Sequence, residues 1–234
     1  MICLRSALVT HPKAKICKPT AEEVQVYKAA VNRKYPNLTD VWAAVDGIKL
    51  RVSASQTWAE QLKFYNGWQH GHYVNNIFCF SPDGRIRICV LNCPGSWHDS
   101  TMSDHGAYDK MAEVYEDFGG QVVIDSAFKI IKGAAGNDMF IKSSQEDPDG
   151  THAILVNRDA TSVRQLSEWG MRMIQAQFPR LTDILPIDMD KRQCILHLAV
   201  LIYNFTTAEV GINEILNSYM CDDFQPGMDE WNNI

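Results

Sequence analysis

Apolar and polar positions alternate along Val41 to Val52 and again along Arg85 to Leu91, the period of two that a half-buried strand shows. Tyr73 to Phe80 is also strand-like, and Ser81-Pro82-Asp83-Gly84 joins it to the run after it. Pro and Gly sit there where a tight turn favours them, so a β-hairpin is predicted. Gln121 to Ile124, after Gly119-Gly120, reads as a short buried strand. Helical spacing appears elsewhere. Thr20-Ala21-Glu22-Glu23 is an N-cap with acidic residues in the first turn, predicting a helix from Ala21 to about Lys34 that Pro36 stops. Ser100 to Phe118 predicts another, with Asp99 or Ser100 as its N-cap. Thr161-Ser162 is expected to open the clearest helix, along Val163, Leu166, Trp169 or Gly170, Met173, Ile174 and Phe178, before Pro179. Asp190 to Ala208 is a second long apolar helix, and Gly211 to Met220 continues it after a break. Met1 to Thr20 reads as a loose arm, Trp58 to His72 as partly irregular, and Ile131 to Gly150 as extended loop. This order suits an α/β fold, a mixed sheet covered by helices.

Composition narrows the class. The 234 residues suffice for one sizeable core. No internal repeat or low-complexity linker divides them. The expected layout is an N-terminal arm and helix over 1–40, a main domain over 41–220 and an acidic, frayed tail over 221–234. No apolar run is long enough to cross a bilayer, so no membrane role is expected, and the first ten residues do not resemble a signal peptide. Seven scattered cysteines without a CxxC pair favour reduced thiols in the nucleus or cytosol. A formal charge of -6 speaks against a phosphate-rich partner at first sight. Bound cations would neutralise a catalytic carboxylate cluster, however, so the charge is a weak veto.

Such a cluster is suggested by four acids at the ends of elements. Val45-Asp46-Gly47, His98-Asp99-Ser100 and Ile124-Asp125-Ser126 each follow or close an apolar run. Glu168 instead lies inside a helix, sharing a face with Arg164 and Arg172 four residues to either side. Taken alone, that face is an exposed ion-pair stripe. Taken with three converging aspartates, it supplies hard oxygen ligands of the kind that Mg²⁺ or Mn²⁺ prefers. Two such ions can activate a nucleophile and stabilise the leaving oxygen of a phosphodiester.

The motifs point further. VDG at 45–47, FYNGWQHGHYVNN at 64–76, SPDGR at 81–85, CPGSWHDS at 93–100, IDSAF at 124–128, RQLSEWGMRMIQAQFPRL at 164–181 and CILH at 194–197 occur in one order. In that order they resemble the PIF/Harbinger type of transposase-derived DDE nuclease, whose core is RNase H-like. The resemblance implies that Asp46, Asp125 and Glu168 fill the catalytic DDE positions and hold two divalent ions, Mg²⁺ or Mn²⁺, with Asp99 as a fourth metal-site acid. It implies DNA as substrate and the nucleus as the place of action, with the cytoplasm as the alternative. Two departures stand out: Gly47-Ile48-Lys49 replaces the family's DG-T-H, and Leu196-His197-Leu198 replaces LHN, with Asn204-Phe205 further on. Only one helix is expected before Asp46, so a separate DNA-targeting protein is expected as a partner.

Other polar residues are weighed singly. His70 and His72 alternate without an obvious third zinc ligand, which favours a polar rim over a metal site. Lys49, His98, Arg164 and Arg172 are the candidates for DNA contact; the alternative for each is ordinary surface solvation. The rival to the nuclease is a catalytically silent scaffold of the same descent that binds DNA or a partner protein.

Overall fold

The computed structural model describes residues 2–98, 101, 106–128, 139–144, 150–211 and 213–220. Its elements begin with helices α1 (Ile2–Thr10) and α2 (Ala21–Lys34), strand β1 (Val41–Arg51), helix α3 (Trp58–Phe64) and strands β2 (Tyr65–Asn66), β3 (Gly71–Phe80) and β4 (Ile86–Pro94). There follow α4 (Ala107–Phe118), β5 (Gln121–Ile124), β6 (Phe140–Lys142), α5 (Thr151–Gln177), α6 (Met189–Val210) and α7 (Glu214–Tyr219). β1 is central. It pairs antiparallel with β3 and parallel with β5, which pairs parallel with β6; β4 and the short β2 take the outer side of β3. Three antiparallel strands continued by two parallel ones make a mixed sheet flanked by helices, consistent with the expected RNase H-like fold.

The pleat sends alternate side chains of β1 to opposite faces. On one face Ala44 and Leu50, with Val123 of β5, share a core with Val163, Leu166 and Ile174 of α5 and with Ala199 and Tyr203 of α6. On the other, Val45, Val122 and Ile124 share a core with Val24 and Tyr27 of α2 and with Met111 and Val114 of α4. α5 lies close on the sheet because Gly170 has no side chain: a Cβ there would stand 2.3 Å from Phe80 Cε1.

The hairpin forms as the turn chemistry predicts, with Gly84 at φ +80°. Below the turn, Asp83 accepts from Arg85 Nε at 2.7 Å, Arg87 Nη2 at 2.9 Å and the Tyr27 hydroxyl at 2.7 Å, while Arg87 also pairs with Glu23 at 2.8 Å. Burial alone would raise the Asp83 carboxyl, but the Arg87 and Arg85 guanidiniums outweigh it and hold the group down at about 2. Helix α2 starts at the expected cap, a reciprocal Thr20–Glu23 capping box.

Several elements differ from expectation. The loose arm is helix α1 and its lead-out, tied to α6 by the His11–Phe205 ring contact, the Lys13–Glu209 ion pair and a bond from Asn204 Nδ2 to the Ala14 carbonyl. The clearest helix starts at Thr151, not at Thr161. The Thr161 and Ser162 hydroxyls donate back to the carbonyls of Asn157 and Arg158 inside that helix, so they are interior residues rather than caps. The expected loop over 131–150 contains strand β6, three residues long. Helix α4 is described from Ala107, with Gly106 at its N-cap; the proposed Asp99 or Ser100 cap lies outside the described residues, as does the tail over 221–234.

Candidate active site

The parallel register sets the geometry. Ala44 of β1 pairs with Val123 of β5, so Asp46 and Asp125 each lie two residues beyond that pair, Asp125 just past the end of β5. Asp46 shares parity with Ala44, whose face α5 covers, and Asp125 meets that helix through Arg164. Each carboxylate folds onto the next backbone N–H: Asp46 Oδ1 accepts from Gly47 N at 2.7 Å, and Asp125 Oδ1 from Ser126 N at 2.6 Å. From α5, Arg164 Nη1 donates to Asp125 Oδ1 at 3.2 Å, and its Nη2 lies 3.5 Å from Glu168 Oε1 one turn on. The guanidinium thus bridges two of the three expected acids. Its Nε is buried with no hydrogen-bond partner among the described residues.

The remaining expected site residues divide. Lys49 and His98 line a cleft of about 580 Å³ with Ala127, two residues beyond Asp125. Arg172, one turn past Glu168 on α5, lines a shallow recess with Trp169 and Glu214 against α7. Asp99 lies outside the described residues. His70 and His72 line a separate small recess with Arg51 and Ile184. Burial pushes the Cys89 and Cys93 thiols up to about 12 and about 11, so neither is a thiolate ligand at neutral pH.

Polar residues beneath the cleft were not among those the sequence singled out. Residues 92–97 are stapled from one side by the stretch 64–76. Asn76 Oδ1 accepts from Asn92 N at 2.8 Å, Asn66 Nδ2 donates to the Gly95 carbonyl at 2.9 Å, and Asn75 Nδ2 donates to the Trp97 carbonyl at 2.8 Å. Gly95 presses on backbone: a Cβ there would stand 2.1 Å from the Tyr73 carbonyl oxygen and 2.6 Å from that of Phe64. Two motifs distant in sequence are therefore one physical unit, and His98 is carried at its end. Asparagine in a strand reads as a turn former, so nothing local in the sequence announces the staples.

A divalent cation suits the chemistry of this donor set. Asp46, Asp125 and Glu168 offer only hard oxygens, and a guanidinium already lies between two of them as the local counter-charge. Among the described residues no three His, Cys, Asp or Glu side chains stand together as a group that could hold a metal ion. No described helix is long and apolar enough to cross a membrane.

The mixed sheet flanked by helices is consistent with an RNase H-like fold, and Arg164 joins two of the expected acids beside it. Residues 45–204 match the DDE superfamily endonuclease family, and the chain belongs to that family. The match begins one residue before Asp46 and includes Asp125 and Glu168. Neither the curated proteins nor the solved structures yield a match to the chain.

Proposed function

We propose that the chain is a divalent-metal-dependent DNA endonuclease of the PIF/Harbinger type, with Asp46, Asp125 and Glu168 as the DDE set and Asp99 as a supporting acid. The observation that supports this reading is the Arg164 bridge between Asp125 and Glu168, with Asp46 and Asp125 each two residues past the paired Ala44 and Val123. Family membership supports nuclease chemistry on DNA, and divalent metals are general in the family. Two bound Mg²⁺ or Mn²⁺ ions would supply the activated nucleophile and the stabilised leaving oxygen. The chain's own part is positional. β1 and β5 hold two carboxylates rigidly, α5 brings the third, and Arg164 neutralises them until a cation arrives. Lys49 and His98 then offer charge and hydrogen bonds to the phosphates flanking the cut. The nucleus is the proposed place of action, with DNA targeting left to a separate protein partner.

The test is metal-dependent nicking of plasmid DNA by wild type and Asp125→Asn. Nicking should require Mg²⁺ or Mn²⁺ and fall at least a hundredfold in the variant; equal activity in both would sink the assignment. The bridge from Arg164 to Asp125 and Glu168 also suits a silent scaffold, in which the acids serve only as ion-pair partners. Calorimetric titration with Mn²⁺ separates the two, because the scaffold has no need of the ion.

A further inference from the structure

The turn between β2 and β3 is firmly built and carries an open aromatic. Asn66, itself buried, accepts with Oδ1 from the backbone N–H groups of Trp68 and Gln69, each at 3.1 Å, and is anchored through Nδ2 to Gly95. The backbone under Trp68 is therefore fixed, yet its indole is 87 % exposed. Trp58 and Leu62, one turn apart on α3, and Tyr65, the first residue of β2, make a stripe of further apolar side chains that are 73 %, 55 % and 43 % exposed. An apolar surface held rigidly in water and rimmed by polar groups marks an interaction site.

Its surroundings select the occupant. Trp68 and Tyr65 line the same cleft as Lys49, Trp97, His98 and Ala127; the acids themselves do not line it, but Ala127 lies two residues past Asp125, so the cleft reaches the turn after β5. At about 580 Å³ the cleft has the size of sites that enclose one small ligand, which suits one unstacked nucleotide. Lys49 supplies the positive charge that a phosphodiester asks for, and the indole supplies a flat face for any base.

We propose that Trp68 is a base-stacking residue that takes up one unpaired base of the DNA strand beside the scissile phosphate. The proposal rests on the endonuclease reading and adds the form of substrate: DNA that is locally unpaired next to the cut. Every base has a π-face, so such a contact selects unpaired strand without selecting sequence.

The experiment uses the full chain in Ca²⁺, where binding is read without depending on cleavage. Two duplexes are compared, one fully paired and one with a short unpaired bulge carrying 2-aminopurine. Wild type should bind the bulged duplex more tightly and quench its fluorescence. Trp68→Ala should lose the quenching and about tenfold of the affinity for bulged DNA, as removal of one stacking aromatic does, while binding paired DNA as before. Trp68→Phe should recover part of both. Val210→Ala, on an exposed apolar residue at the end of α6 and outside the cleft lining, serves as the neutral control. Unchanged affinity and quenching in Trp68→Ala, with wild type still nicking DNA in Mn²⁺, overturns the stacking role alone. Failure of wild type to bind either duplex overturns the endonuclease reading and this role with it. A change in self-association on Trp68→Ala, with DNA binding intact, assigns the stripe to a protein interface and also overturns it.

Discussion

Replacing Arg164 by Gln should tighten Mn²⁺ binding. Arg164 Nη1 lies 3.2 Å from Asp125 Oδ1 and Nη2 lies 3.5 Å from Glu168 Oε1, so an incoming cation must break or share both pairs. Arg164 and Asp125 are half-buried and Glu168 is exposed. Solvent screening therefore limits the first pair to about 1 kcal/mol and the second to about 0.3 kcal/mol. Their sum is close to the 1.4 kcal/mol that separates affinities tenfold. Gln keeps a polar side chain of similar reach but carries no charge to compete with the metal. Calorimetric titration with Mn²⁺ should give a Kd about tenfold lower for Arg164→Gln than for wild type. The gap should shrink in high salt, which screens the competing pairs. Arg172→Gln, on a residue lining a different recess, should leave the Kd at the wild-type value. An Arg164→Gln Kd equal to or weaker than wild type, in a protein that melts normally, would refute competition between guanidinium and metal for the two acids.

Two further outcomes follow from buried geometry. Gly95→Ala should cost about 3 kcal/mol in urea unfolding, the upper end for overpacking, because the added Cβ meets the backbone oxygens of Tyr73 and Phe64 rather than a movable side chain; a loss under about 0.5 kcal/mol would contradict the close approach. Asp83, held at about 2 in the folded protein, has a folded pKa below its unfolded one. Its contribution, on the order of 2 kcal/mol, is complete above the ordinary carboxyl range near pH 4 and is lost as pH falls toward 2. Asp83→Asn should lose most of that difference at pH 6 and less of it at pH 3; a constant loss across the range would show that the carboxylate is not the source.

The parts of the fold legible in the sequence are those whose local chemistry and tertiary role agree. The capping box at Thr20 and the Pro-Asp-Gly turn each have one good solution, and the structure adopts it. The start of α5 was not legible, because a Thr-Ser pair inside a helix carries the same hydroxyls as a pair that caps one. Helix α1 was missed because its support is long-range, from α6, and β6 because three residues cannot show a period. At the site, the acids were visible through the motifs and the strand ends. Arg164 was considered as a DNA contact, whereas the fold places it between Asp125 and Glu168. Trp68 could not be singled out, since nothing in a sequence separates an indole bound for the core from one left in water.

The far end of the family match, at Asn204, has a physical explanation that involves no chemistry at the acids. β4 has β3 on one side only, so its outer edge leaves backbone groups to be satisfied. Asn204 of α6 does so at Ile86, accepting from its N–H at 2.8 Å and donating to its carbonyl at 2.9 Å, as a neighbouring strand would. In the first turn of α6, well before Tyr203 and Asn204, Arg192 grips the other end of the same strand. Its guanidinium is fully buried over the Phe64 ring, donates to the carbonyls of Pro186 and Ile187 at 2.8 Å, and bonds Asn92 Oδ1. Asn92 sits at φ +65°, an uncommon conformation for a residue with a side chain, and its own N–H is held by Asn76. A buried cation is a costly fastener, and burial pulls the Arg192 pKa down. Its three acceptors and ring join α3, β4 and the lead into α6 at the point where the chain turns toward His98. A cluster of carboxylates repels itself and gains rigidity only from what surrounds it. Here α6 fastens both ends of β4 from outside the site, and this is a physical reason for a helix with none of the three acids to fall within the family match.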